Sequence, residues 1–217
     1  KDKQVEGCTA SKKTLYKEAA CAAVCFYNSE GERLRTLRFG RMPEAKKKTL
    51  KDELSQTINR ILDQNSDLIL IKLADGARDI WRYFGNELRP GEGIELLDFF
   101  HASEHLNKAI ESAYGKDTPE AKAHFEKYCS VLKYDDIGAV KVIRTLNYLH
   151  KKHRKRSEIK TKLNYFKNNR HRMKYAQVAA QKLPIGSGVI EASCKTLITQ
   201  RLKCSGMRWA TAGGQGI

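Results

Sequence analysis

Ile94-Glu95-Leu96-Leu97-Asp98-Phe99-Phe100-His101-Ala102-Ser103-Glu104-His105 is a short apolar run that ends in a carboxylate and opens a segment with helical spacing. An apolar run this brief reads as a buried strand. Asp98 and His101 therefore stand at the carboxyl end of a strand, where open α/β sheets place their ligands. Two other stretches share the pattern. Leu68 to Ala74 (LILIKLA) runs into Asp75-Gly76, and Gly186-Ser187-Gly188 opens a helix that carries Glu191. Three carboxylates at element ends point to a metal-dependent site.

The flanking segments fill in an α/β order. Glu18 to Tyr27 is rich in small and apolar residues, Asn28-Ser29-Glu30-Gly31 is a turn signal, and Arg33 to Phe39 alternates as a half-buried strand does. A β-hairpin is expected there. Pro43 precedes a helix over Glu44 to Asp63, with Leu50, Leu54, Ile58, Ile61 and Leu62 on one face and Lys46, Lys47 and Lys48 on the other. Leu68 to Ala74 reads as a buried central strand, Ala77 to Leu88 as the return helix, and Ile94 to Asp98 as the next strand. A helix from about Ala102 to Tyr114 follows. Near the other end of the chain, Ser187 is a candidate N-cap for a helix from Val189 to about Lys203, with Ile190, Cys194, Leu197 and Ile198 on its buried arc and Glu191 and Lys195 at the edge.

Between Thr118 and Lys174 the strand signals stop, and Phe125, Tyr128, Leu132, Ile143, Leu146 and Leu149 recur at helical spacing. From His150 to Lys174 there are eleven Lys or Arg residues against one acidic residue, Glu158. Such density reads as a solvated face or as a surface that tracks phosphates. Tyr165 and Phe166 within it favour a helical surface that meets DNA.

The whole chain is basic as well. Its 217 residues hold 41 Lys and Arg against 25 Asp and Glu, a formal charge of +16, which calls for a polyanionic partner. Nucleic acid or an anionic membrane surface would both satisfy that charge, and nucleic acid rather than a membrane is the partner expected; the longest apolar stretch, Ala19 to Tyr27, falls far short of the ~20 residues that a membrane-spanning helix needs, so a soluble protein is expected. The six cysteines (Cys8, Cys21, Cys25, Cys129, Cys194, Cys204) form no CxxC pair and read as thiols of a reducing compartment.

Carboxylates gathered by a sheet suit Mg²⁺, which prefers oxygen ligands and shares its shell with phosphate and water. Two such ions can serve an in-line displacement on phosphorus, so a basic surface beside such a cluster means nuclease or strand-transfer chemistry. One motif argues for something else. His101-x-x-Glu104-His105 fits the H-x-x-E-H pattern of inverted zinc peptidases, in which both imidazoles bind the metal. The blander alternative leaves Glu104 and His105 on an exposed first turn.

Several blocks, in chain order, carry a family likeness: Leu73-Ala74-Asp75-Gly76-Ala77 with Trp81; Leu97-Asp98-Phe99-Phe100-His101-Ala102 with Glu104-His105-Leu106; Ile185-Gly186-Ser187-Gly188-Val189-Ile190-Glu191-Ala192; and Gln200-Arg201-Leu202-Lys203-Cys204-Ser205-Gly206-Met207-Arg208-Trp209. Together with the Tyr16-Lys17-Glu18-Ala19 lead-in and Pro43-Glu44, they resemble bacterial insertion-sequence transposases of the Kra type. Those are DDE transposases with an RNase H-like, retroviral-integrase-like core.

The resemblance implies an α/β core over 1–115, with its first strand missing, a basic helical insertion over 116–175, and a closing helix over 176–217. It makes Asp75 and Glu191 catalytic metal ligands for Mg²⁺ or Mn²⁺, with Asp98 and His101 in support as a D-x-x-H pair. It gives DNA, as transposon ends and target, to Lys151, Lys152, Arg154, Lys155, Arg156, Lys195, Arg201, Lys203 and Arg208, and implies an oligomer assembled on that DNA in the bacterial cytoplasm, at the nucleoid.

The family's first catalytic Asp would lie in an Asp-Gly strand ahead of the hairpin. Asp2, flanked by Lys1 and Lys3, has no apolar run around it. The chain is therefore expected to be an N-terminally truncated transposase that binds DNA without cutting it. The competing expectations are a structure-specific nuclease of the same fold, a catalytically dead DNA-binding remnant, and the zinc peptidase.

Overall fold

A computed structural model describes residues 19–200 of the chain. Asp2, Arg201, Lys203 and Arg208 lie outside the described residues.

The expected hairpin is present as β1 (Ala20–Tyr27) and β2 (Arg33–Arg41), paired antiparallel. Asn28 makes the turn by accepting the amides of Glu30 and Glu32 on Oδ1, at 3.1 and 2.8 Å. Gly31 then takes φ 80°, which an L side chain rarely adopts. Clean alternation along β2 fails at Leu34, which is 67 % exposed. Tyr27 pairs with Arg33 and Phe26 with Arg35, so Leu34 is the extra residue of a β-bulge and is turned outward.

The amphipathic helix begins later than its periodicity suggests. A 3-10 turn over Ala45–Lys47 precedes α1 (Lys48–Gln64), and the Glu44 carboxylate accepts the Leu50 amide at 3.0 Å. Leu50, Leu54 and Ile58 are buried, while Ile61 and Leu62 are only half-buried. This stripe packs with Ala22, Val24 and Phe39 on one face of the hairpin.

β3 (Ile71–Ala74) and β4 (Ile94–Leu97) form a separate parallel pair. The strand expected from Leu68 is thus three residues shorter, and Leu68 and Ile69 stand 43 % and 66 % exposed. The reason lies in the partner strand. Gly93 at φ +78° turns the chain into β4, and the Ile94 amide meets the Leu70 carbonyl at 2.8 Å, so the ladder has no position for the residues before Leu70. Lys72 interrupts the apolar run yet is buried, because its ammonium donates to the Phe84 and Arg89 carbonyls at 3.0 and 2.8 Å. The intervening helix, α2 (Arg78–Asn86), buries Trp81 and Tyr83.

Helices follow without interruption: α3 (Phe99–Tyr114), α4 (Pro119–Tyr134), α5 (Gly138–Lys152), α6 (Ser157–Asn169) and α7 (Tyr175–Ala180). Their apolar stripes, among them Leu106, Ile110, Leu132, Leu146, Leu149, Leu163 and Phe166, join Leu96 and Leu97 of β4 in one core. The basic segment therefore shares its core with the parallel pair. α8 (Gly188–Cys194) passes into a π-helical turn over Lys195–Thr199.

This last helix packs on β1, on the face away from α1. Cys21 there neighbours Cys194, and burial first, then that neighbour, pushes the Cys21 thiol up to about 12. Cys21, Cys25, Cys129 and Cys194 are all free thiols. The arc expected of this helix is shifted. Ser193 is fully buried and donates to the Val189 carbonyl at 2.8 Å, whereas Ile190, Cys194, Leu197 and Ile198 are half-buried.

The fold is mixed α/β, mostly helical, with two two-stranded sheets among the described residues. No described helix is long and apolar enough to cross a membrane.

Candidate acidic and imidazole site

The β3–β4 register decides where the carboxylates go. The Asp98 amide donates to the Ala74 carbonyl at 2.8 Å, which sets Asp75 and Asp98 side by side at the carboxyl end of the pair. Asp75 is exposed, and its Oδ1 accepts the Ala77 amide at 2.9 Å while its carbonyl accepts the Trp81 indole at 2.6 Å.

Asp98 is buried and uses both oxygens. As N-cap of α3 it accepts the His101 amide on Oδ1 at 2.8 Å, and its Oδ2 accepts the Ser187 amide at 2.5 Å. The helix starts at Phe99, three residues earlier than its spacing suggests, because this cap fixes it there. Ser187 occupies the N-cap position of α8, yet its side chain makes no capping bond; its amide is what matters.

The loop before α8 is tied to α3 a second time, by the Phe99 amide donating to the Ile185 carbonyl at 3.0 Å. Gly186 allows the approach, since a Cβ there would lie 2.4 Å from the Phe100 ring. Through this zipper the start of α8 at Ser187 is tied to the sheet end that carries Asp75 and Asp98; Glu191 is exposed one helical turn further on, and among the described residues the three carboxylates do not form a group placed to hold a metal.

The two histidines share a face of α3. Their Nε2 atoms are 3.3 Å apart, a hydrogen bond in which one ring donates and the other accepts. His105 is half-buried rather than an exposed first-turn residue, and its ring stacks on Tyr165 at 3.8 Å with 6° between the planes. Burial, then the positive charge of Lys162, holds the His105 imidazole down to about 4. Glu104 is exposed, and among the described residues no group of three His, Cys, Asp or Glu side chains is placed to hold a metal, so no third ligand joins the H-x-x-E-H pair.

Tyr165 and Phe166, expected on a DNA-facing surface, are both turned inward. Phe166 is fully buried in the core. Tyr165 covers Asp75-Gly76, where a Cβ on Gly76 would meet its ring at 2.7 Å, and its buried hydroxyl has no partner. Burial, then the charges of Asp75 and Asp98, raises its pKa. The signal for Phe166 was its core spacing with Ile159 and Leu163. The signal for His105 was its i, i+4 relation to His101.

The basic residues stand apart from this centre. Lys151, Lys152, Arg154, Lys155 and Arg156 are all exposed around the α5–α6 connection, and Lys195 is exposed on the π-helical turn. Arg156 also donates to the Ser112 carbonyl, near the far end of α3. The five therefore sit at the opposite end of the α3–α6 pair from His101.

No protein-family model, curated protein or solved structure matches the chain.

Proposed function

We propose that the chain carries the core of a DNA transposase of the DDE type, with an RNase H-like arrangement, that cleaves element ends and joins the freed 3′-hydroxyl to target DNA. The observation that supports this best is the bond from the Ser187 amide to Asp98, which ties the start of the helix that carries Glu191 to the residue beside Asp75. The donor set suits Mg²⁺ or Mn²⁺, which bind through one or two carboxylates and complete their shell with water and substrate phosphate; it does not suit a closed protein cage. Such an ion would be held by Asp75 and Glu191 and would stabilise charge on the phosphate oxygens.

The chain's own residues divide the remaining work. Asp98 keeps both oxygens on backbone amides and so acts as a positioning residue. His101, whose Nε2 is taken up by its hydrogen bond with a His105 that burial keeps neutral, would act in support of the carboxylates beside it. The basic turn at 151–156 would hold the DNA backbone. In the cell this activity belongs with the nucleoid, on an oligomer assembled around two element ends.

The assay compares the 217-residue chain with one extended upstream of Lys1, each with Mg²⁺ and pre-cleaved end DNA. Joined product from the extended chain, lost in Asp75→Asn and Glu191→Gln, is the expected result. Cleavage without joining would identify a structure-specific nuclease. Products that survive Asp75→Asn would overturn the proposal.

A further inference from the structure

The end of the helical bundle away from Asp98 has an aromatic surface that the function above does not use. Tyr114 closes α3, and its ring stacks on His124 of α4 at 4.3 Å with 8° between planes. His124 in turn lies parallel to Tyr128 within 7°, at 6.2 Å, and the Lys127 ammonium stands 5.5 Å from the centre of the Tyr128 ring. All three rings are half-buried, so the column they form has an open side. Tyr148 lies one turn before the end of α5, at the bundle end where Arg156 is tied to the Ser112 carbonyl. It is 61 % exposed, a large aromatic that core packing does not consume.

Charge flanks Tyr148 on its own helix. α5 contains no acidic residue, and its exposed face runs Lys141, Arg144, Tyr148, Lys151 and Lys152, which fall within a ~100° arc at 100° per residue. The turn after it adds Arg154, Lys155 and Arg156, anchored at Ser112, two residues from Tyr114. Parallel rings beside a basic track are what unpaired nucleobases stack on, because every base has a π-face and the cations follow its backbone. Duplex bases are already stacked and offer no such face.

We propose that Tyr114, His124, Tyr128 and Tyr148 form a stacking platform for unpaired nucleotides, with the basic turn at 151–156 holding their phosphates. The partner of this surface is single-stranded or frayed DNA. The platform lies about 20 Å from His101 along α3, from the 1.5 Å rise per residue. The inference rests on the DNA-binding part of the function proposed above and adds the strand state that the surface selects.

The test is fluorescence anisotropy of the 217-residue chain with a labelled 20-nucleotide oligo-dT and with a blunt 20-base-pair duplex, at two salt concentrations. Tyr148→Ala is expected to weaken oligo-dT binding about 5- to 160-fold, the range for loss of one base–aromatic stack, and duplex binding less than about 2-fold. Tyr148→Phe, which keeps the ring, should retain wild-type affinity. Because the side chain is exposed, both variants should melt with the wild type. An equal loss on both probes, or no loss on either with duplex binding intact, would overturn the platform and leave the DNA-binding function standing. No binding of either probe by the wild type would overturn both.

Discussion

His105 stays neutral in the folded chain because burial and the Lys162 charge oppose its protonation, holding its pKa at about 4 against an ordinary 6.5. A lowered folded-state pKa means that the unfolded chain takes up the proton first. The contribution of His105 to stability is therefore complete above pH 6.5 and is lost as the pH falls toward 4. His105→Phe preserves a ring to stack on Tyr165 and removes the titration. Melting temperatures measured between about pH 4 and 8 should fall less steeply on the acid side for the variant than for the wild type.

Asp98 supports a different prediction. An asparagine offers one acceptor where the carboxylate offers two, so Asp98→Asn leaves either the His101 or the Ser187 amide without a partner. An unsatisfied buried amide costs roughly 1–3 kcal/mol, which urea unfolding should register. His101→Ala keeps that amide and loses only a 3.3 Å side-chain bond to His105, so it should lower the melting temperature little while lowering turnover. A loss of many degrees would make His101 a structural histidine.

At the scale of elements, α4 and α5 meet at a tight join. The Asp135 carboxylate accepts the Ile137 amide at 3.0 Å to turn the chain, and Gly138 then opens α5 against the α4 backbone. A Cβ on Gly138 would sit 2.3 Å from the Val131 carbonyl and 3.0 Å from the Leu132 Cα, and no side chain can move to make room. Gly138→Ala should therefore destabilise by about 1–3 kcal/mol or more, as overpacking does. Gly85→Ala, with open space around its Cβ, is the matched control in the same unfolding experiment.

Elements also show what could be read in the sequence. Periodicity located the hairpin, α1, the two short strands and the helical run, because each buries one face and the spacing records it. It failed where a single backbone event overrode the pattern: the bulge that turns Leu34 outward, and the start of β4 at Ile94 that leaves Leu68 and Ile69 unpaired. At the site, Asp75, Asp98 and Glu191 were legible as carboxylates at element ends. The Ser187 amide and the Tyr165 stack were not, since a backbone donor leaves no mark in the sequence and an inward tyrosine looks like any other in a basic run.

For the whole molecule, the distribution of charge is the property that can be measured. The exposed cations of 151–156 project from the end of a well-packed bundle, so they can be changed without touching its core. Replacing Lys151, Lys152, Arg154, Lys155 and Arg156 with Gln should weaken DNA binding and flatten its dependence on salt by about 0.9 log units for each phosphate no longer neutralised. An unchanged slope would return the turn to being a solvated face.

β1 lies between α1 on one face and α8 on the other, as an interior strand does, yet among the described residues its only ladder is with β2. In an antiparallel pair, alternate residues direct their amides to the partner and the others direct them away. Deuterium uptake along Ala20–Tyr27 should therefore rise and fall with a period of two, slow at amides bonded to β2 and fast at those between. Uniformly slow uptake would mean that a second strand occupies that edge in solution.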